Sequence, residues 1–351
     1  MAELVLMKGN EAIAEAAIRA GCRHYFGYPI TPQTEIAAYM AKKMPKIGGV
    51  FLQAESEIAS INMVYGAAAT GCRVMTSSSS PGISLKAEGL SYIAGSDVPA
   101  LVVNVQRGGP GLGGIQPSQS DYFQATRGGG NGDYRHLVYA PATIQEAADY
   151  VQMAFDVADQ YRNPVMVVAD GMIGQMMEAI EWRELPKREL PEKTWATTGT
   201  KGERKPNVIN SLYIDPNLCA EHNERLAAKY KAMEENEVRW EEVNTEDCEI
   251  LFVAYGTPSR VTKAAIKLLE KEGICTVAEL EKYAMENEFA SYWFLEGVEK
   301  GHKYTLEGYL FPDTYQFYTN ATAKHVFQKM LGRFEDLLDE ELQAHLITLN
   351  E

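Results

Sequence analysis

The chain has 351 residues, 46% of them hydrophobic and 23% charged, enough for two domains with sizeable cores. Its formal charge of −15 at pH 7 excludes a nucleic-acid binder, since phosphate recognition requires clustered Lys and Arg. No run of 18 apolar residues suggests a membrane span. The acidic start Met1-Ala2-Glu3 lacks the basic residues of a signal peptide, which places the protein in the cytoplasm.

Residues 9–110 alternate helix-patterned segments with short apolar strands. Glu11 to Arg19 reads as a helix with Ile13, Ala17 and Ile18 on one face. His24 to Tyr28 reads as a strand, ended by Pro29 and Pro32 because proline cannot donate to a ladder. Gln33 to Lys42 is the next helix and Gly49 to Leu52 the next strand. Ser56 to Ala69 is helical, Ser56 capping it and Ile58, Ile61, Tyr65 and Ala68 following the 3-4 spacing. Arg73–Thr76 and Ala100–Val105 are strands, the second nearly all apolar, as for a strand covered on both faces. Thr143 to Asp159 is a helix and Pro164 to Ala169 a buried strand. The alternation predicts an α/β domain with a mostly parallel sheet over residues 1–185.

A polar Lys/Glu/Pro/Thr-rich stretch from about 183 to 210 and a charged surface helix over 216–245 form a connector, so that residues 186–245 separate two domains. Residues 246–274 open a second α/β domain, with a strand at Glu249–Tyr255 and a helix from Pro258 to Glu272. The pattern then changes. Aromatic residues crowd 283–318, and Thr322 to Leu342 is amphipathic, with Val326, Phe327, Met330 and Phe334 on one side. A junction falls near Gly273–Cys275.

The chemistry-bearing residues gather where ligands bind in open α/β sheets, at the C-terminal ends of the predicted strands. Tyr28-Pro29-Ile30-Thr31-Pro32 follows the first strand and Glu57 opens the helix after the second. Ser77 to Gly82 follows the third, and Arg107 with Gly108-Gly109-Pro110-Gly111 follows the fourth. Taken singly, Thr31 also suits a helix cap, Glu57 a partner of the helix dipole, and the glycines an ordinary loop. Together they support an anion-binding α/β site. The five cysteines are scattered and form no C-x-x-C pair, so this chain alone supplies neither a disulfide framework nor an iron–sulfur cluster.

These segments, with Gly9-Asn10-Glu11-Ala12, Ala54-Glu55-Ser56-Glu57 and Gln119-Ser120-Asp121-Tyr122, resemble the alpha subunit of 2-oxoacid:ferredoxin oxidoreductases, most of all the branched-chain (3-methyl-2-oxobutanoate) type. The likeness runs over about residues 1–273. It implies a pyrimidine-type domain of a thiamine-diphosphate enzyme that oxidatively decarboxylates a 2-oxoacid to an acyl-CoA and reduces ferredoxin. Thiamine diphosphate acts through a ring carbanion, formed when a carboxylate hydrogen-bonds its aminopyrimidine. By resemblance Glu57 is that carboxylate, with Glu55 the weaker alternative. Tyr28 contacts the cofactor, Thr31 contacts cofactor and substrate, and Arg107 holds the substrate carboxylate through a planar fork. The Gly-Asp-Gly string and Asn pair that hold the diphosphate's metal in such enzymes have no match here. Gly128 to Asp133 reads as a plain loop. Magnesium and the iron–sulfur clusters are therefore expected on partner chains, a beta (diphosphate-binding) subunit and a ferredoxin-like subunit, and this chain alone is expected to be inactive. Ferredoxin and coenzyme A complete the expected partners; 2-oxoglutarate and pyruvate are the alternative substrates.

Residues 275–351 resemble part of the endolytic murein transglycosylases, chiefly through Leu306 to Tyr315. That family's catalytic Glu lies downstream in a Glu-Thr-Gly-like string not reached here, and its membrane anchor is missing. Glu307 thus reads as structural and the tail as a non-catalytic fragment of a chimera.

Overall fold

A computed structural model of the chain describes residues 4–246 and 252–273. Contacts divide the chain into residues 1–240 and 241–351. In the first unit six parallel strands form one sheet: β2 (His24–Gly27), β3 (Val50–Gln53), β4 (Val74–Ser78), β5 (Ala100–Gln106), β6 (Leu137–Tyr139) and β7 (Pro164–Asp170). Their order across the sheet is β3-β2-β4-β5-β7-β6. A separate antiparallel pair joins β1 (Leu4–Lys8) to β8 (Met177–Glu181), with Leu4 opposite Glu181.

Side-chain alternation along the central strands builds two cores, one on each face of the sheet. Leu101, Val103 and Val105 of β5, with Val165 and Val167 of β7, face helices α1 (Gly9–Arg19), α2 (Thr34–Lys43) and α6 (Ile144–Tyr161). Ala100, Val102, Met166 and Val168 face α3 (Glu57–Ala69) and α4 (Pro81–Gly95). β5 and β7 are buried along their whole length, which is why they read as continuous apolar runs. Each fully buried Val, Leu or Ile contributes about 1.5–3 kcal/mol by leaving water.

The predicted helices and strands up to Asp170 appear within two residues of their expected bounds, while the charged helix expected over 216–245 ends at Glu237, and Ser56 Oγ accepts from Ala59 N at 3.2 Å as the expected cap of α3. α4, α5 (Tyr122–Arg127), α7 (Gly171–Gln175), β1, β6 and β8 are additions. Residues 182–215 carry no regular element beyond turns, yet they are fastened to the sheet domain. Lys193 Nζ lies 2.6 Å from Asp159 and donates to Gly71 O at 2.9 Å, and Thr197 N donates to Ala69 O at 2.9 Å. α8 (Pro216–Glu237) is charged, as expected, but buries Leu226 and Met233 and sets Lys229 2.7 Å and Arg225 2.5 Å from Asp97.

In the second unit α9 (Gly256–Lys271) matches the predicted helix, and Phe252 to Tyr255 carry no regular element. The rest of the expected strand (249–251), the aromatic stretch, Glu307 and the amphipathic segment 322–342 lie outside the described residues. No helix among the described residues is long and apolar enough to cross a membrane.

Candidate active site

Chain order reverses between β2 and β4: β2 leads outward to β3, and α3 then carries the chain back across to β4. Such a switch point opens a crevice beyond the C-terminal ends of the strands. The turn after β2 (Tyr28 to Pro32) and the turn after β4 (Ser79 and Ser80) flank it, β5 delivers Arg107 beside it, and Glu57 enters on the first residue of α3.

The turn after β2 is held from three sides. Asn10 Nδ2 donates to Pro32 O at 2.8 Å and to Glu35 Oε2 at 2.9 Å, while Gln175 Nε2 donates to Glu35 Oε1 at 2.8 Å. Buried Gln33 donates to Tyr28 O at 3.1 Å and accepts from Ser77 Oγ at 2.5 Å. Tyr28 is half-buried and the Thr31 side chain is exposed, free to meet a ligand.

Arg107 is buried and ties two loops together. Its Nη1 donates to Thr31 O at 3.1 Å and its Nη2 to Leu112 O at 2.9 Å, while its buried Nε has no protein partner. The backbone beneath it is fixed by a polar knot. Arg107 N donates to Ser80 Oγ at 3.0 Å, and that hydroxyl lies 2.5 Å from Asp121 Oδ2. Asn104 Nδ2 donates to the same carboxylate oxygen at 2.9 Å, and Ser80 N donates to Asn104 Oδ1 at 3.1 Å. Ser80 takes a left-handed φ of 23°, a conformation a side chain adopts only when its surroundings dictate it. Burial raises the Asp121 carboxyl above the usual range, partly offset by bonds from Ser80, Asn104 and Ser120.

Glu57 is buried, and no other described residue hydrogen-bonds its carboxylate. The side chain is pressed against Gly82. A Cβ built there would lie 2.7 Å from Glu57 Oε1 and 2.1 Å from Ser78 Oγ, so only glycine admits the carboxylate at this point. The structure thus joins Thr31 to Arg107 directly and brings Glu57 against the Ser78–Gly82 turn that supports Arg107 through Ser80. Tyr28 enters through the same turn as Thr31.

Two sets of polar contacts are not legible in the sequence. One is the knot that joins Ser80 and Asp121, both in segments singled out above, through Asn104. The other is Lys86, fully buried on α4, whose Nζ donates to Glu57 O at 3.4 Å and, in a shorter bond, to Ser60 Oγ. Burial pushes this ammonium down to about 7, the Glu57 charge offsetting part of the drop. A lysine held below its unfolded value leaves the unfolded chain binding more protons between pH 7 and 10, so its contribution to stability rises with pH there, at up to about 1.4 kcal/mol per unit. Urea midpoints of the full chain at pH 7 and pH 9 are expected to climb relative to those of Lys86→Met; parallel midpoints would contradict this placement.

The side chains fit a cofactor that presents a polar ring and needs a carboxylate. Thr76 Oγ1, Ser78 Oγ, Ser79 Oγ and Arg107 Nε are all buried without a protein partner, and of these Ser78 meets Gly82 together with the Glu57 carboxylate. Buried polar atoms are ordinarily satisfied, so such a cluster marks a place where a ligand completes the bonding.

A family model described as "Pyruvate flavodoxin/ferredoxin oxidoreductase, thiamine diP-bdg" matches residues 15–242. A second, for the YceG-like family, matches residues 223–351 and so overlaps the first at 223–242. The ketoisovalerate oxidoreductase subunit VorB of Methanothermobacter marburgensis is 50% identical over 269 residues, covering 77% of this chain and 76% of that protein. The 2-oxoglutarate synthase subunit KorA of Methanocaldococcus jannaschii is 39% identical, covering 76% of this chain and 79% of that protein. Among solved structures, a 2-oxoglutarate:ferredoxin oxidoreductase from Magnetococcus marinus with 2-oxoglutarate, coenzyme A and succinyl-CoA bound superposes with a TM-score of 0.68 at 28% identity. The match covers 78% of this chain and 53% of that one, so the chain spans about half the length of that relative.

Proposed function

Because the chain belongs to the pyruvate flavodoxin/ferredoxin oxidoreductase family through its thiamine-diphosphate-binding domain, we propose that it is the alpha subunit of a 2-oxoacid:ferredoxin oxidoreductase acting on 3-methyl-2-oxobutanoate. Within the complex it contributes to the oxidative decarboxylation of the 2-oxoacid to an acyl-CoA, with electrons passing to ferredoxin. The observation that carries this reading is a buried Glu57 carboxylate set against Gly82 at the switch point of the sheet, on the turn whose Ser80 supports Arg107.

Bound thiamine diphosphate supplies the carbon nucleophile and the electron sink. This chain's residues do the rest on their side. Glu57 would hold a hydrogen bond to the aminopyrimidine, Arg107 would hold the 2-oxoacid carboxylate, the Thr31 hydroxyl would contact cofactor and substrate, and Tyr28 would line the cofactor's flank. A beta subunit holds the diphosphate and magnesium, and a ferredoxin-like subunit carries the iron–sulfur clusters. Residues 1–185 form the pyrimidine-type domain, 186–245 its connector and 246–274 the start of a second α/β domain. No Glu-Thr-Gly string occurs in the sequence, and the YceG-like stretch is assigned no catalytic role.

The chain purified with its partner subunits is expected to reduce ferredoxin or a viologen dye in the presence of coenzyme A. The ranking by kcat/KM is expected to place 3-methyl-2-oxobutanoate first, then 2-oxoglutarate and pyruvate. A higher value for 2-oxoglutarate would move the chain to the other substrate type, and no coenzyme A-dependent reduction with any 2-oxoacid would contradict the reading.

A further inference from the structure

α3 and α4 meet in three matched steps. At the first, Glu57 lies on Gly82; at the second, Ser60 meets Lys86; at the third, Ile61 lies on Gly89, where a Cβ would fall 2.5 Å from its Cγ2. Gly82 and Lys86 are four residues apart and Glu57 and Ser60 three apart, so each pair shares one face of its helix. Ile61, Val64, Ile83 and Leu90 surround this seam. An ammonium here is expensive, and an apolar chain of the same length would give a more stable helix pair. Two of its three donors are engaged, by Glu57 O and Ser60 Oγ. Among the described residues Glu57 is the charged group whose field reaches it.

We propose that Lys86 is a positioning residue for Glu57: by holding Glu57 O and Ser60 Oγ it locks the first turn of α3 and so fixes where the Glu57 side chain stands. The inference rests on the reading of Glu57 as the group that meets the cofactor ring.

The test uses the full chain assembled with its partner subunits, with Lys86→Met, Glu57→Gln and the double variant. Calorimetric titration of the apo complex with thiamine diphosphate is expected to show binding weakened roughly tenfold by Lys86→Met. Its kcat is expected to fall roughly tenfold with KM for the 2-oxoacid unchanged, the pattern of a displaced acid–base group. The double variant is expected to bind thiamine diphosphate like Glu57→Gln alone, because Lys86 acts through Glu57. Wild-type affinity and an unchanged kcat in Lys86→Met, with only a changed melting point, would overturn the proposal. Should Lys86→Met not assemble, Ser60→Ala, which keeps the charge but removes an anchor, decides: a lowered kcat and weaker cofactor binding support the proposal, and wild-type values overturn it. Full activity in Glu57→Gln would instead remove the underlying reading, an outcome separable from any result at Lys86.

Discussion

Glu57→Gln, in the chain assembled with its partners, is expected to lower kcat by about 10²–10⁴ while leaving the complex intact. The magnitude is that of losing a positioned acid–base group. The substitution is nearly isosteric, so the glycine contact at residue 82 and the packing of α3 on α4 survive it. The amide still fills the place beside Gly82 and Ser78, but it cannot exchange a proton at near-neutral pH. Substrate binding is therefore expected to change little, and the loss to fall on kcat. Steady-state dye reduction with saturating 3-methyl-2-oxobutanoate and coenzyme A measures it. An unchanged kcat would reject Glu57 as the acid and direct attention to Glu55, two residues earlier and exposed.

Arg107 is expected to give the second large effect, and to give it differently. Arg107→Lys keeps a positive charge but loses the fork that spans Thr31 O and Leu112 O. Losing one partner of a desolvated charge contact costs about 2–5 kcal/mol. A fall in kcat/KM of roughly 30-fold to 10³-fold or more is expected, most of it in KM for the 2-oxoacid. The charge alone restores little, because a point charge cannot present paired N–H groups to a planar carboxylate. Titration with thiamine diphosphate separates this from a general collapse of the loop: its affinity is expected to stay near the wild-type value. A KM for the 2-oxoacid equal to that of the unsubstituted complex would exclude Arg107 from the substrate site.

Much of the sheet domain was legible because its strands and helices follow simple periodicities. β5 and β7 stand out as apolar runs, and α3 announces itself through Ser56 and the spacing of Ile58 and Ile61. α4 did not. Its opening Ser80-Pro81-Gly82-Ile83-Ser84 reads as a turn, and Gly82, Gly89 and Gly95 lower its helical propensity. Two of those glycines are there for contact, with Glu57 at one step and Ile61 at another. The helix that carries Lys86 was hidden by the feature that lets it approach α3.

The site divides in the same way. The strand-end rule places the 28–32 turn, Ser77–Gly82 and Arg107 together without coordinates, since each follows a parallel strand. The resemblance then suggests which of them act. What neither supplies is the support beneath them. The Ser80–Asn104–Asp121 knot joins residues 24 and 41 positions apart, and Lys86 reaches Glu57 O across 29 positions. No local pattern marks such pairs, because they arise only when the sheet has closed. The stretch from about 183 to 210 was legible as a polar connector but not as anchored, since the Lys193–Asp159 pair links two stretches with no shared motif.

The most direct measurement is a structure of the chain with its partner subunits and thiamine diphosphate. A Glu57 oxygen is expected within hydrogen-bond reach of the aminopyrimidine ring, about 2.6–3.2 Å, with Arg107 and Thr31 turned to the opposite side of the cofactor where the 2-oxoacid enters. A cofactor bound against other residues, with Glu57 facing away from its ring, would contradict the account.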